Sequence, residues 1–308
     1  MNKKIVLFLI PLLAIALMGC QQVNDVTSSD KFKVVVETAT DIAEVKIDAA
    51  HDIGSILLGG TRDLLITDDN NIVFTNDSFT VANFNLQIFG TSKASDPELM
   101  DFYASMIKNH DIIFIQEIRD SSGEAFESLC NKVKDTHKCV TTGRAGRSTS
   151  KEQYGIAMKK GIDIIDYKDY NPDSQDRWER PPVMITFKIK DYNFTAWNIH
   201  TKPDDVPQEM EYLDQVVQDK GNVVVLGDLN ADCNYYNNPL EPDFNDWFWA
   251  VRDSDDTTVS QTDCAYDRII VNANMLDEFL GYDIYRTGIT KEVSDHYLVY
   301  AVFRAEES

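Results

Sequence analysis

From Ile72 onward the chain is cut into short β-rich runs closed by turn residues or helical stretches, and this rhythm limits the fold more than any other feature. The runs are Ile72–Phe74, Phe79–Leu86, Ile112–Gln116, Tyr154–Met158, Val183–Ile189, Phe194–Ile199, Val223–Leu226, Ile269–Val271 and Tyr297–Phe303. Runs this short, rich in Val, Ile, Phe and Tyr, form strands, and so many of them require large sheets. Helical candidates lie between them at Asp96–Lys108, Gly123–Lys134 and Pro207–Gln218. The class is therefore mixed α/β, with sheets covered by helices. No internal repeat or long linker divides this part, and residues 72–308 read as one domain.

The N-terminus reads as an address. Met1–Lys4 is basic, Ile5–Met18 is uncharged and apolar apart from Pro11, and Gly19-Cys20 follows. Crossing a bilayer takes about 20 apolar residues, so this shorter run reads as a secretory signal over residues 1–19. Leu17-Met18-Gly19-Cys20 resembles the lipobox of prokaryotic lipoproteins, which implies lipidation at Cys20 and anchoring to the cell envelope. The small polar residues over 20–30 suit a tether. In the segment 31–71, apolar residues Val35, Ala39, Ile42, Val45, Ala49, Ile53 and Ile56 recur every three or four positions, which predicts a helix over 33–58. Cys130, Cys139, Cys233 and Cys264 remain, an even number in an exported chain, so two disulfides are expected. Three connectivities are possible, and pairing nearest neighbours closes the shortest loops.

Charge narrows the function. Lys and Arg number 29 against 51 Asp and Glu, a formal net charge of −22, which argues against charge-driven binding to nucleic acid or to an anionic membrane. The strand ends are more informative. Asn83-Phe84-Asn85, Gln116-Glu117-Ile118-Arg119-Asp120, Asn198-Ile199-His200-Thr201, Asp228-Leu229-Asn230, Tyr266-Asp267-Arg268 and Ser294-Asp295-His296 all flank apolar runs. A buried strand fixes position and the adjoining loop grants access. Glu117, Asp228 and Asp295 are hard oxygen ligands, Asn85 and Asn230 are neutral donors and acceptors, and His200 and His296 are proton carriers. That inventory suits metal-assisted hydrolysis of a phosphate ester. Mg²⁺ or Mn²⁺ offsets the charge that builds on the phosphoryl oxygens, while imidazoles move protons to and from water and the leaving oxygen.

These segments resemble the deoxyribonuclease I branch of the endonuclease/exonuclease/phosphatase fold family. The resemblance rests on NFNLQIFG (83–90), HDIIFIQEIRD (110–120), GRSTSKEQYG (146–155), ERPPVMITFK (179–188), NIHTKPDD (198–205), VVVLGDLNADC (223–233), DTTVSQTDCAYDRIIV (256–271) and SDHYLVY (294–300), in the family's order. It implies a four-layer sandwich of two packed, mostly antiparallel β-sheets covered by helices. It implies two His–carboxylate pairs, His200 with Glu152 and His296 with Asp267, one imidazole acting as general base and the other as general acid. Glu117 resembles the main divalent-metal ligand, with Asn85, Asp228 and Asp295 nearby. Asn230 resembles a residue that contacts the scissile phosphate, Arg119 one that enters the minor groove, and Arg180 one that contacts a phosphate. The family also pairs Cys233 with Cys264, and Asp256, Thr258 and Thr262 resemble a structural Ca²⁺ loop.

The implied activity is a monomeric, metal-dependent endonuclease on double-stranded DNA with little sequence preference, since the minor groove distinguishes little beyond A·T from G·C. Three positions depart from the family pattern. Ser150 stands where the family has a stacking tyrosine, Gln87 where it has a basic residue, and Pro181 where an acid serves a second Ca²⁺ site. Ser150 and Gln87 keep a second expectation open, hydrolysis of phospholipid or inositol phosphate head groups on the same metal site.

Overall fold

The computed structural model describes residues 32–37, 42–47, 77–236 and 243–305. Backbone contacts divide the chain into two compact units, Met1–Asp68 and Asp69–Ser308. In the first, β1 (Phe32–Glu37) runs antiparallel to β2 (Ile42–Ile47), with Phe32 opposite Ile47 and Glu37 opposite Ile42. This corrects the helix expected from residue 33. The β-branched run Val34-Val35-Val36 is stiff at χ1 and favours a strand, which overrides the three-to-four spacing of the apolar residues. Residues 38–41 and 48–58 of that expectation, the signal at 1–19, Cys20, the rest of the tether and the run 72–74 lie outside the described residues.

The second unit contains β3 (Ser78–Phe89), β4 (Ile112–Ile118), β5 (His137–Thr141), β6 (Gln153–Lys159), β7 (Ile162–Asp169), β8 (Val183–Ile189), β9 (Tyr192–Asn198), β10 (Val223–Asp228), β11 (Phe248–Trp249), β12 (Asp267–Val271), β13 (Phe279–Tyr285) and β14 (Leu298–Arg304). One six-stranded sheet has the order β11-β12-β10-β9-β8-β7 and the other β13-β14-β3-β4-β6-β5. Each has one parallel pair at its centre, β10 with β9 and β3 with β4, and the remaining pairs are antiparallel. The helices are α1 (Thr91–Ala94), α2 (Pro97–Lys108), α3 (Glu124–Val133), α4 (Val206–Val216) and α5 (Ala273–Leu276). Asp96 starts α2 by accepting from Glu98 N–H at 2.9 Å and Leu99 N–H at 3.2 Å, with Pro97 in the first turn.

Side-chain alternation builds the layers. Phe79 and Val81, Ile112 and Phe114, Phe194 and Ala196, Val224 and Leu226, and Ile269 and Val271 fill the space between the sheets. Their neighbours point the other way. Ala82, Phe84, Ile113 and Ile115 pack with Met100, Tyr103 and Ile107 of α2 and with Leu129 of α3. Trp197, Ile199, Val223, Val225 and Ile270 pack with Met210 and Leu213 of α4. The result is the expected helix–sheet–sheet–helix sandwich.

The same parity carries polar residues inward at one end of the inter-sheet layer. Asn83 and Asn85 continue the face of Phe79 and Val81, Gln116 that of Phe114, Asn198 that of Ala196, Asp228 that of Leu226, and Asp267 that of Ile269. All six are buried. Disulfides join Cys130 to Cys139 and Cys233 to Cys264, with Cα separations of 6.1 and 6.0 Å, the nearest-neighbour connectivity.

Candidate active site

A buried amide network ties the two sheets together beneath the site. Asn198 Nδ2 donates to Asn83 Oδ1 at 2.9 Å, and Gln116 Nε2 donates to Asn198 Oδ1 at 3.2 Å and to Ile199 O at 2.8 Å. Gln116 Oε1 accepts from Asp228 N–H at 2.9 Å. Gly227 makes this closeness possible. Its φ is +150°, and a Cβ there would lie 2.0 Å from Ile199 O and 2.8 Å from Gln116 Nε2. Asn83, Gln116 and Asn198 received no role from the sequence; the signal that identifies them is their inward parity.

On this floor stand two imidazole–carboxylate pairs, each spanning the two sheets. His200, after β9, bonds through Nδ1 to Glu152 Oε1, before β6, at 2.6 Å. His296, before β14, bonds through Nδ1 to Asp267 Oδ2, on β12, at 2.7 Å. Their Nε2 atoms converge on one oxygen: His200 lies 3.3 Å and His296 3.5 Å from Asp228 Oδ2. Asn85 Nδ2 donates to that oxygen at 3.0 Å. Ser294 Oγ donates to Asn85 O at 2.6 Å and accepts from His296 N–H at 3.1 Å, fixing the His296 turn against β3.

Glu117 is aimed by backbone irregularity. The ladders of β3 with β4 and β4 with β6 both shift register here, and Gln87, Ile88 and Glu117 have φ of +43°, +55° and +61°. Bulges of this kind re-aim side chains at sheet ends. Glu117 Oε2 accepts from Ile88 N–H at 2.8 Å and meets Arg119 Nη2 at 2.9 Å. Arg119 also reaches Glu152 Oε2 at 3.5 Å and donates through Nη1 to Ser150 Oγ at 2.7 Å. Arg180 Nε sits 3.0 Å from Glu152 Oε1 and donates to His200 O at 2.8 Å. Both arginines expected at substrate thus lie against Glu152. Gln87 Nε2 donates to Asp295 Oδ2 at 2.8 Å.

Electrostatics follow from these contacts. Burial alone would raise the Glu152 carboxyl, but His200, Arg180 and Arg119 outweigh it and hold the group at about 2. Burial disfavours a charged His296, yet Asp267, Asp228 and Asp295 around it prevail and push it up to about 10. Burial also drives the Asp267 carboxyl upward. Asp267 and His296 titrate as one coupled pair, and the three carboxylates that face the ring favour its charged form. Asp228 is held below its ordinary value because the two imidazoles and Asn85 outweigh its desolvation.

The oxygen set fits a hard cation. Asp295 Oδ1 and Glu152 Oε2 are buried atoms without a hydrogen-bond donor. Ligand atoms of Glu117, Glu152 and His200 lie within 4.8 Å of one another. Carboxylate and amide oxygens of Glu117, Asn85, Asp228 and Asp295 match the donors that Mg²⁺ or Mn²⁺ takes. Asn230, at φ +47°, places its N–H 3.2 Å from Asp228 Oδ1 and donates through Nδ2 to Thr201 O at 3.1 Å.

The loop Asp256–Thr262 gathers oxygens of its own. Thr258 Oγ1 lies 3.2 Å from Asp256 Oδ1, 3.0 Å from Thr262 O and 3.0 Å from Ser260 Oγ. Its backbone supports the site, since Thr258 pairs with His296 and Val259 N–H bonds to Asp295 O at 2.7 Å.

Comparison with known proteins agrees with this architecture. The model of the endonuclease/exonuclease/phosphatase family matches residues 82–296. Deoxyribonuclease-1 of Bos taurus is 29% identical over 258 residues, covering 72% of this chain and 91% of its own length. Deoxyribonuclease gamma of Homo sapiens is 32% identical over 219 residues, covering 62% of this chain and 71% of its own length. Among solved structures, an endonuclease/exonuclease/phosphatase from Bacteroides vulgatus superposes with a TM-score of 0.57 at 18% identity, over 74% of this chain and 99% of that one. With the family pattern covering its fold and its buried His–carboxylate pairs, the chain belongs to the endonuclease/exonuclease/phosphatase family and is similar within it to the deoxyribonucleases.

Proposed function

We propose that the protein is a secreted, lipid-anchored, metal-dependent endonuclease that hydrolyses phosphodiester bonds of double-stranded DNA with little sequence specificity. The observation that carries this reading is the convergence of His200 and His296 on Asp228 Oδ2, each imidazole backed by its own carboxylate. One imidazole is placed to take a proton from water and the other to give one to the departing oxygen. Glu152 and Asp267 fix the rings by accepting from Nδ1–H, so that Nε2 faces the substrate, and they stabilise the imidazolium form. Asp228 lies within reach of both and orients them. Glu117, with Asn85, Asp228 and Asp295, would hold Mg²⁺ or Mn²⁺, which when bound supplies positive charge at the scissile phosphate.

Asn230 is assigned to the phosphate, with Arg180 and Arg119 to the DNA strand. Asp256, Thr258 and Thr262 would hold a structural Ca²⁺. A relative named deoxyribonuclease-1 aligned over 91% of its length supports DNA as substrate. The disulfides and the N-terminal sequence support export, with Cys20 as the anchor. The test is nicking of supercoiled plasmid by the mature chain with Mg²⁺, abolished by EDTA. Absence of nicking together with turnover of a sphingomyelin or inositol phosphate substrate would replace DNA by a head group.

A further inference from the structure

The ladder between β4 and β6 ends at Ile118 opposite Gln153. The next residues outward are Arg119 and Glu152, and here backbone pairing between the two strands stops. A side chain from elsewhere takes over. Arg144, half-buried between β5 and β6, donates through Nη1 to Asp120 O at 3.0 Å, through Nη2 to Arg119 O at 3.1 Å, and through Nη2 to Lys151 O. It thus joins the strand end that carries Glu117 and Arg119 to the peptide that leads into Glu152.

Arg144 is itself held firmly. Its carbonyl accepts from Asn171 Nδ2 at 3.1 Å, and the preceding Gly143 N–H bonds to Asp169 Oδ2 at 2.7 Å. The following Ala145 exchanges backbone bonds with Glu152 at 2.7 and 3.0 Å. Glu152 is therefore held directly by Ala145 and, through the carbonyl of Lys151, by Arg144. Arg119 N–H bonds to Phe89 O at 2.7 Å, so the opposite strand end is equally constrained. A guanidinium can serve three carbonyls from one planar fork, which an ammonium cannot reproduce.

The geometry points to Arg144 as a positioning residue that sets the distance between Glu117 and the Glu152–His200 pair, and so aligns the proton-transfer imidazole with the oxygen cluster around Asp228. Arg144 touches neither imidazole and none of the oxygens assigned to metal or phosphate; it acts through the backbone. This inference rests on the phosphodiesterase reading of the same site.

The experiment compares the mature wild-type chain with Arg144→Met and Arg144→Lys, on supercoiled plasmid and on bis(p-nitrophenyl) phosphate, well below the melting temperature of each. Misplacing one catalytic pair by about 1 Å costs on the order of 10² in rate. Arg144→Met is expected to lower kcat roughly 10- to 100-fold on both substrates, with KM for plasmid little changed. Arg144→Lys should recover part of the loss, because an ammonium reaches one or two of the carbonyls. If Met at this position prevents folding, Arg144→Lys alone decides by the same kcat reading. A folded variant with wild-type kcat, or a loss confined to KM, overturns the inference. A wild-type chain that cleaves neither substrate overturns instead the functional reading beneath it.

Discussion

His200 and His296 approach one carboxylate oxygen, Asp228 Oδ2, at 3.3 and 3.5 Å, while each keeps its Nδ1 on a different acid. Two proton carriers sharing one acceptor act as a unit. Ala at either position should lower plasmid nicking by at least roughly 10² to 10⁴. The double variant should be little worse than the worse single, because residues that act together are non-additive. Nicking rates of the three variants measure this, and a double variant with substantial activity would contradict the assignment.

Gly227 predicts a stability effect. Its φ of +150° is closed to side chains, and an added Cβ would lie 2.0 Å from Ile199 O, a backbone atom that cannot swing aside. Gly227→Ala should cost at least about 2 kcal/mol and disturb the Gln116 contacts beneath Asp228. Urea denaturation reads the loss. A variant as stable as wild type would mean that β9 and β10 can separate freely at this point.

Acid sensitivity should arise at the opposite pole of the β3 sheet. His110 Nδ1 lies 2.7 Å from Met106 O, and His137 Nε2 lies 2.9 Å from His110 O. Burial lowers both imidazoles below their ordinary value, against backbone bonds and Asp111 that raise them. With folded-state pKa below the unfolded value of about 6.5, the unfolded chain binds more protons as pH falls. Stability from these groups is complete above that value and declines below it. His110→Asn keeps a donor near the Nδ1 position without the titration. Wild type should therefore lose melting temperature relative to His110→Asn between pH 8 and pH 5, and a gap independent of pH would refute the point.

Much of the fold was legible, and the omissions have one cause. The runs Phe79–Leu86, Ile112–Gln116 and Val223–Leu226 are central strands, buried on both faces, and announce themselves as apolar runs, whereas Val183–Ile189 shows the alternation of a strand buried on one face. β5, β7, β11 and β13 were not expected, and all four are sheet edges. β7 shows why. Ile165 and Tyr167 are exposed beside Asp163, Asp166 and Lys168, so no face of it carries a continuous apolar signal. The first unit failed differently, because helical spacing and β-branching disagreed over Val34–Val36. In the site, Glu117, Asp228 and the histidines were visible as strand-end chemistry. Their pairing was legible only through the family resemblance, since Glu152 and His200 are 48 residues apart and no local pattern links them.

Reducing the disulfides should destabilise the catalytic unit. Cys233–Cys264 spans a sequence separation of 31 residues. A cross-link of that span is worth about 3–4 kcal/mol by loop entropy. Replacing both cysteines by serine, or adding dithiothreitol, should lower the melting temperature by several degrees. An unchanged melting curve would show that the loop is held without its bridge.

The pairs His200–Glu152 and His296–Asp267 each take one member from each sheet, as do Asn85–Asp228 and Gln116–Ile199. A chain in which either sheet had formed alone would hold half of every pair and no complete one. Cleavage competence thus requires both sheets, docked on one another. A chain still folding is therefore chemically silent, however much of its secondary structure it has acquired.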